Sequence, residues 1–223
     1  MGSDNIFEKK KFRKLKELER QKAKKSPYET ILIVCEDSKS SPGYFRELIK
    51  HLRLNTANVM IKPSRGSAPI SIVDYSIELA KSNPYIDRVA CVFDRDNHAS
   101  YQQAINKLES NKSKKPIYKA VVSTPCFELW LLLHFNYTTK GYSYTNKKSA
   151  ADNLLNDLKK ILPSYCKSHC KWFNDLISKI DIAIKNAKQL QEHNNKTKSK
   201  NPSTNIHELV EFLLQLNNGG KWK

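Results

Sequence analysis

The sequence predicts an α/β fold, in which a mostly parallel sheet of about four strands is flanked by helices and followed by a mostly helical C-terminal half. Two observations predict it. Short, apolar, β-rich runs alternate with stretches of helical periodicity between residues 29 and 124. From residue 125 onward, apolar residues recur mainly at helical spacing. We therefore expect a basic helical arm over residues 1–28, an α/β core over residues 29–124, and a helical part over residues 125–223 that packs on the core.

Four strands are predicted from runs that are too short for helices. The first, Thr30 to Cys35, is continuously apolar, which is typical of a buried strand in a parallel sheet. The third run has the same character, and both runs end in acidic residues. In chain order, the four runs are ETILIVCED, ANVMIKP, DRVACVFDRDNH and KPIYKAVVSTP.

Helices are predicted where apolar residues return every three or four positions, often after a cap-like serine or a proline. Three helices alternate with the strands: SSPGYFRELIKHLR, APISIVDYSIELAKS and ASYQQAINKLESN. Four more follow the last strand, in CFELWLLLHF, SAADNLLNDLKKIL, CKWFNDLISKIDIAIKNAKQL and IHELVEFLLQLN. The polar stretches GYSYTNKK and NNKTKSKNPSTN predict exposed loops.

The chain is strongly basic, because 39 Lys and Arg residues against 22 Asp and Glu residues give a net charge of +17. Such a charge attracts polyanions, so nucleic acid is the expected partner. Hydrophobic residues make up 39%, which is enough for a core, and no apolar run approaches the ~20 residues that span a bilayer. The charged start is not a secretory signal, and five cysteines, an odd number, suit reduced thiols. We therefore expect a cytoplasmic protein, with an oligomeric state that the sequence does not indicate.

Acidic residues follow two of the predicted strands. Glu36 and Asp37 follow the first strand, and Asp94, Arg95 and Asp96 follow the third. Ligands of parallel α/β sheets bind beyond the carboxyl ends of the strands, and converging carboxylates there need a cation. We therefore expect Glu36, Asp94 and Asp96 to bind Mg²⁺ or Mn²⁺. The alternative is that the acids cap the following helices, although Ser38 to Ser41 and Asn97 could perform that capping.

Other motifs narrow the function. The six glycines form neither a P-loop nor a dinucleotide fingerprint, and no G-x-S-x-G elbow is present. The turn from Arg65 to Pro69 could hold a phosphate at a helix N-terminus, or it is an ordinary turn. Cys166, His169 and Cys170 lack C-x-x-C spacing and a second ligand pair, which favours unliganded residues on a helix over a zinc site.

The acidic pattern resembles that of Toprim domains, which occur in topoisomerases, primases, OLD-family nucleases and small RNA-maturation nucleases. The segment TPCFELWLLLHF, together with NPSTN before the last helix, is similar to the RloB-like family. Members of that family occur beside restriction systems and among abortive-infection genes of phage defence. The resemblance covers residues 29–216, and Asp37-Ser38 stands where many relatives have a glycine. Within NPSTN, Asn201, Ser203 and Thr204 match the late family motif, although helix capping explains Ser203-Thr204-Asn205 as well.

The resemblance implies a Toprim-like fold and a Mg²⁺-dependent nuclease of phage defence. Its substrate would be RNA, such as tRNA, or DNA. A protein partner from a neighbouring defence gene is a further expectation. It places the metal ligands at Glu36, Asp94 and Asp96. Glu128 and His134 are the polar members of an apolar helix. Glu128 could be a further ligand or general base, or a core glutamate paired with Arg or Lys. His134 is a catalytic candidate or a hydrogen-bonded core histidine.

Phosphate contacts are expected from cations near the acids or in basic loops. Lys39 and Arg95 lie close to the acidic residues in sequence. Lys147 and Lys148 lie in a polar loop, where a solvated pair is the alternative. Two other functions stay open. One is a phosphohydrolase in which Asp94 is the nucleophile and Asp96 its acid partner, although such an Asp-x-Asp pair normally follows the first strand. The other is a non-catalytic nucleic-acid binder or partner subunit.

Deletion of residues 1–24 tests the basic arm. We expect weaker nucleic-acid binding and a shallower salt dependence, because each lost phosphate contact reduces the slope of log affinity against log salt by about 0.9. Binding of labelled RNA and DNA across a KCl series measures that slope. Metal binding should not change, and an unchanged slope would contradict a role of the arm in phosphate binding.

Overall fold

Five strands form one sheet in the computed structural model, which describes residues 29–95, 98–111 and 115–216. The order across the sheet is β2-β1-β3-β4-β5, in which the first four strands are parallel and β5 is antiparallel to β4. The expected mostly parallel α/β sheet is therefore confirmed. The expected arm over residues 1–28, Asp96 and Asn97 lie outside the described residues. The strands are β1 Ile31–Cys35, β2 Val59–Pro63, β3 Arg88–Asp94, β4 Ile117–Thr124 and β5 Ser203–Thr204.

Eight helices belong to the described part of the chain, and none of them is both long and apolar enough to cross a bilayer. The C-terminal half is only partly helical, because residues 134–149 and 162–172 form turns and irregular segments. The helices are α1 Ser40–His51, α2 Pro69–Ser82, α3 Tyr101–Glu109, α4 Glu128–Leu133, α5 Ala150–Ile161, α6 Phe173–Ile177, α7 Ile180–Thr197 and α8 Ile206–Gln215.

Helices cover both faces of the sheet, which explains the continuous apolar run of β1. Ile31 and Ile33 belong to a core shared with α1 and the C-terminal helices. Leu32 and Val34 point to the opposite face and belong to a smaller core with α2 and α3. All four side chains are at most 1% exposed, so neither face of β1 tolerates a charge, and its first acidic residue comes directly after the strand.

Helix α4 is shorter than the ten-residue apolar segment that predicted it, because side chains capture its last carbonyl groups. His134 Nδ1 donates to Trp130 O at 2.9 Å, and Asn186 Nδ2 donates to Leu133 O at 2.8 Å. These bonds replace the intrahelical bonds that a longer helix would make. The single helix predicted over residues 170–190 is likewise divided, since Lys179 N–H donates to Leu176 O in a turn between α6 and α7.

The segment NPSTN supplies a fifth strand, which the sequence analysis assigned to an exposed loop. Ser203 and Thr204 pair with Thr124 and Ser123 at the end of β4. Asn205 follows them and bonds β4 through its side chain: Val122 N–H donates to Oδ1 at 2.7 Å, and Nδ2 donates to Ala120 O at 3.0 Å. Asn205 precedes α8 without a side-chain cap bond, whereas Thr204 Oγ1 accepts the Ile206 N–H at 3.3 Å. The motif therefore extends the sheet and also bonds the first residue of α8.

Candidate active site

Glu36 and Asp94 lie together at the carboxyl edge of the sheet, because β1 and β3 are adjacent parallel strands. Glu36 N–H donates to Val92 O at 2.9 Å, which continues the ladder by one residue. The Asp94 N–H then donates to Glu36 Oε2 at 2.9 Å. We call Glu36, Asp37 and Asp94 the acidic rim. Two of the three predicted metal ligands are thus brought together, and Asp96 lies outside the described residues.

Asp94 carries a large electrostatic cost. Burial raises the pKa of its carboxyl well above the usual range, and Glu36, Glu128 and Asp37 raise it further. A backbone hydrogen bond from Phe127 offsets only part of this rise. A buried carboxyl with a raised pKa, clustered with other acids at the edge of a parallel sheet, is typical of functional sites.

Asp37 caps α1, a task that the sequence analysis gave to the serines around it. Its Oδ2 accepts the Ser40 N–H at 2.8 Å, and its Oδ1 accepts the Ser41 N–H at 3.3 Å and the Ser41 hydroxyl at 2.7 Å. A carboxylate at this end of a helix is also stabilised by the helix dipole. The capping alternative therefore describes Asp37, whereas Glu36 bonds to the end of β3.

Glu128 is a buried anion with its own cation. Its side chain is 3% exposed, and Lys167 Nζ lies 3.2 Å from its Oε1. Tyr165 donates to the same oxygen at 2.6 Å. Burial acts to raise the pKa of Glu128, but Lys167 and then Tyr165 outweigh burial, so the pKa lies below its usual value. The sequence analysis gave two roles for Glu128, a metal ligand or general base and a core glutamate paired with Arg or Lys. The structure places it in the second arrangement.

Tyr165 and Lys167 come from the loop of residues 162–172, which packs over α1. Trp172 Nε1 donates to Cys166 O at 3.0 Å, and the Trp172 ring lies 5.3 Å from the Tyr165 ring. A Cβ at Gly43 would meet Cys170 Sγ at 2.2 Å, so the close approach of α1 to this loop requires glycine there.

The segment with Cys166, His169 and Cys170 lies in this loop and not on a helix, which corrects the prediction. Cys166 and His169 form an isolated antiparallel bridge across a turn. Tyr165 and Lys167, which the sequence analysis did not select, link this loop to Glu128 near the acidic end of the sheet. A single sequence holds no signal for this link, because Glu128 and Lys167 are far apart in the chain and belong to no shared periodic pattern.

His134 is placed in the core among aromatic rings. Since a carbonyl can only accept, Nδ1 carries the proton that is donated to Trp130 O at 2.9 Å, and Nε2 lies 3.5 Å from the Tyr44 hydroxyl. Burial lowers the pKa of His134 to about 4. The ring is 1% exposed, so the structure places it as the hydrogen-bonded core histidine of the two alternatives.

The predicted phosphate-binding cations are distributed over several surfaces. Lys39 is exposed directly before α1. The Arg95 guanidinium lies over the Tyr101 ring at 4.9 Å. Arg65 lies over the Tyr75 ring at 4.6 Å and forms an ion pair with Glu78, so its partners are on α2. Lys147 and Lys148 are exposed in a turn that is closed by hydrogen bonds between Thr145 and Lys148.

The donor set of the rim suits a magnesium ion. Among the described residues, no group of three or more His, Cys, Asp or Glu side chains could hold a metal ion. Mg²⁺ is usually held by one or two carboxylates, with waters and substrate phosphates as its other ligands. Glu36 and Asp94 supply two carboxylates on adjacent strands, and a divalent cation would offset their mutual repulsion.

Comparison with known proteins places most of the chain in one family. The family model described as RloB-like protein matches residues 31–213, from the first residue of β1 into α8. No curated protein and no solved structure matches the chain.

Lys167→Met tests the pairing of the buried carboxylate. We expect the free energy of unfolding to fall by roughly 1–2 kcal/mol, because Glu128 stays buried without its cation. The loss is moderate because Lys167 is half-exposed, so solvent screens its interaction with Glu128. Urea denaturation measures the change. Lys171→Met, an exposed lysine of the same loop, is the matched control and should stay within about 0.5 kcal/mol of wild type. Adding Glu128→Gln should restore most of the loss, and equal effects of the two lysine variants would refute the pairing.

His134→Gln tests the neutral core histidine through pH. A pKa of about 4 in the folded protein lies below the reference value of 6.5, so the folded state binds fewer protons between these values. The contribution of neutral His134 to the free energy of unfolding is therefore fully present above pH 6.5. It is lost as the pH falls to 4, and the loss is on the order of 3 kcal/mol. Urea midpoints at several pH values should show a shallower acid loss for the variant than for wild type. Parallel curves would mean that His134 titrates normally.

Proposed function

The chain belongs to the RloB-like family, and we propose that it is a Mg²⁺-dependent nuclease with a Toprim-like core that hydrolyses phosphodiester bonds of nucleic acid. The observation that carries the proposal is the juxtaposition of Glu36 and Asp94 at the ends of adjacent parallel strands, in a chain whose net charge is +17. A basic surface attracts the polyanion, and an acidic rim suits a cation that acts on its phosphates.

Glu36 and Asp94 are the residues that would hold Mg²⁺ or Mn²⁺, and Asp96 is the third ligand expected from the sequence. When bound there, such an ion would supply Lewis-acid chemistry: it would polarise the phosphodiester and lower the pKa of an attacking water. The bond from the Asp94 N–H to Glu36 Oε2 fixes the orientation of one carboxylate against the other strand. Asp37 is engaged by the first turn of α1 and contributes negative charge to the rim.

Lys167 provides a cation at the same end of the sheet. Glu128 fixes its ammonium group at 3.2 Å, and the side chain still remains 54% exposed, so the group can meet solvent and substrate. Glu128 thus acts as a positioning residue for a phosphate-binding lysine. Lys39, exposed two residues after Asp37, lies close enough in the chain to add to this positive charge.

The substrate class and the cellular setting are proposals that follow from the family and the charge. Fold-level analogy favours RNA, with tRNA as the first substrate to test and DNA as the comparison. All five cysteines are free thiols, which suits the reducing cytoplasm. A role in phage defence, together with a protein encoded by a neighbouring gene, rests on the family resemblance.

A non-catalytic nucleic-acid binder is the main competing function. A protein that only binds polyanions gains nothing from clustered carboxylates, which repel phosphate. The acidic rim therefore favours the nuclease over the binder. The phosphohydrolase with an Asp94 nucleophile is disfavoured because Asp94 ends the third strand of the chain.

Asp94→Asn separates function from stability. The amide removes a negative charge from beside Glu36, Asp37 and Glu128, so without metal we expect the variant to be at least as stable as wild type. Mg²⁺-dependent cleavage should fall about 10²-fold or more, because loss of a metal ligand removes several kcal/mol of charge stabilisation. Cleavage of total tRNA and of plasmid DNA is followed side by side, together with thermal unfolding.

The matched control is Asp74→Asn, which removes an exposed carboxylate on α2 that is paired with Lys107. This variant should cleave like wild type. A loss of stability on Asp94→Asn with cleavage retained would make Asp94 a structural residue. Wild type that binds both nucleic acids but cuts neither with Mg²⁺ or Mn²⁺ would favour the non-catalytic binder.

A further inference from the structure

A polar cleft opens next to the acidic rim, where β4 ends. Its volume is ≈ 290 Å³, and it lies between the end of β4, strand β5 and the C-terminal turns of α7. Arg95 in its wall directly follows Asp94 in the chain, and Thr124 in its wall ends the strand that pairs with β3. The lining residues include Arg95, Tyr101, Thr124, Asn194, Asn195 and Lys200.

The cleft is lined by donors and cations. None of the described residues that line it is acidic, while Arg95 and Lys200 bring two positive charges. The Arg95 guanidinium rests on the Tyr101 ring at 4.9 Å, and no carboxylate partner of it lies among the described residues. The N–H donors of a guanidinium in this position are available to bind a phosphate or a base. Asn195 adds an exposed amide on α7.

The wall opposite Arg95 is held in place by hydrogen bonds. Asn194 Nδ2 donates to Pro202 O at 2.7 Å, which ties α7 to the segment before β5. Ser203 Oγ donates to Thr124 Oγ1 at 3.1 Å, which ties β5 to β4. These side chains are therefore already ordered in the folded protein, so a ligand would not bear the entropic cost of ordering them.

We propose that this cleft is a nucleotide-binding subsite, which holds one nucleotide of a single-stranded substrate next to the bond that is cut. Arg95 and Lys200 bind its phosphate, and the amides of α7 hydrogen-bond its sugar or base. The volume, ≈ 290 Å³, lies just below the roughly 300–1,000 Å³ of ligand sites, so the cleft is small enough to exclude a duplex. The assignment as a substrate subsite rests on the proposed nuclease function, whereas nucleotide binding itself can be measured without cleavage.

Calorimetric titration of the full chain in EDTA tests the subsite with three probes: 5′-AMP, inorganic phosphate and adenosine. We expect 5′-AMP to bind about tenfold more tightly than either fragment, because it uses the cations and the amides together. Lys200→Glu should weaken 5′-AMP binding about tenfold or more, since it reverses a charge in the cleft. Lys196→Glu makes the same charge change on exposed α7 outside the cleft and should stay within about twofold of wild type.

The outcomes separate the two proposals. Equal effects of the two lysine variants, or phosphate binding as tight as that of 5′-AMP, would overturn the nucleotide subsite, even if the chain cleaves nucleic acid. Binding of 5′-AMP that is sensitive to Lys200→Glu, in a chain that cleaves neither RNA nor DNA, would support the nucleotide site and overturn the nuclease function. Asp94→Asn should keep 5′-AMP binding while it loses cleavage.

Discussion

Repulsion between carboxylates at one end of a parallel sheet is the constraint on which the rest of the structure depends. Since β1 and β3 are neighbours, Glu36 and Asp94 must share one edge, and Asp37 and Glu128 add charge nearby. The fold offsets the charges of Asp37 and Glu128. The first turn of α1 binds Asp37, and Lys167 pairs with Glu128. Among the described residues, a backbone bond from Phe127 lowers the pKa of Asp94, but burial keeps it raised.

Segments that are distant in the chain meet near the acidic rim. The 162–172 loop packs on α1, where Gly43 allows the close approach, and delivers Tyr165 and Lys167 to Glu128. The segment before α8 extends the sheet beyond β4 and forms one wall of the polar cleft. The acidic rim lies at the carboxyl end of the sheet, with Lys167 paired to Glu128 beside it, and the polar cleft opens where β4 ends.

The sheet and the pairing of Glu36 with Asp94 could be predicted from the sequence, because buried strands are continuous apolar runs and the acids end two of them. The sequence left the role of Asp37 open, since a carboxylate among serines gives the same local pattern whether it caps a helix or binds a metal. The pairing of Glu128 with Lys167 and the strand at Ser203–Thr204 depend on contacts between segments distant in the chain. The early end of α4 at Leu133 depends on the Asn186 side chain, which belongs to another helix.

Direct measurement of metal binding tests the central claim, that Glu36 and Asp94 form a divalent-cation site. Electron paramagnetic resonance of free Mn²⁺ during titration of the full chain, without nucleic acid, gives the affinity and the number of ions bound. The account predicts saturable binding that Mg²⁺ displaces, that is lost on Glu36→Gln and that is unchanged on Asp175→Asn, an exposed acid of α6. Binding of Mn²⁺ that is equal in wild type and in the Glu36 variant would contradict it.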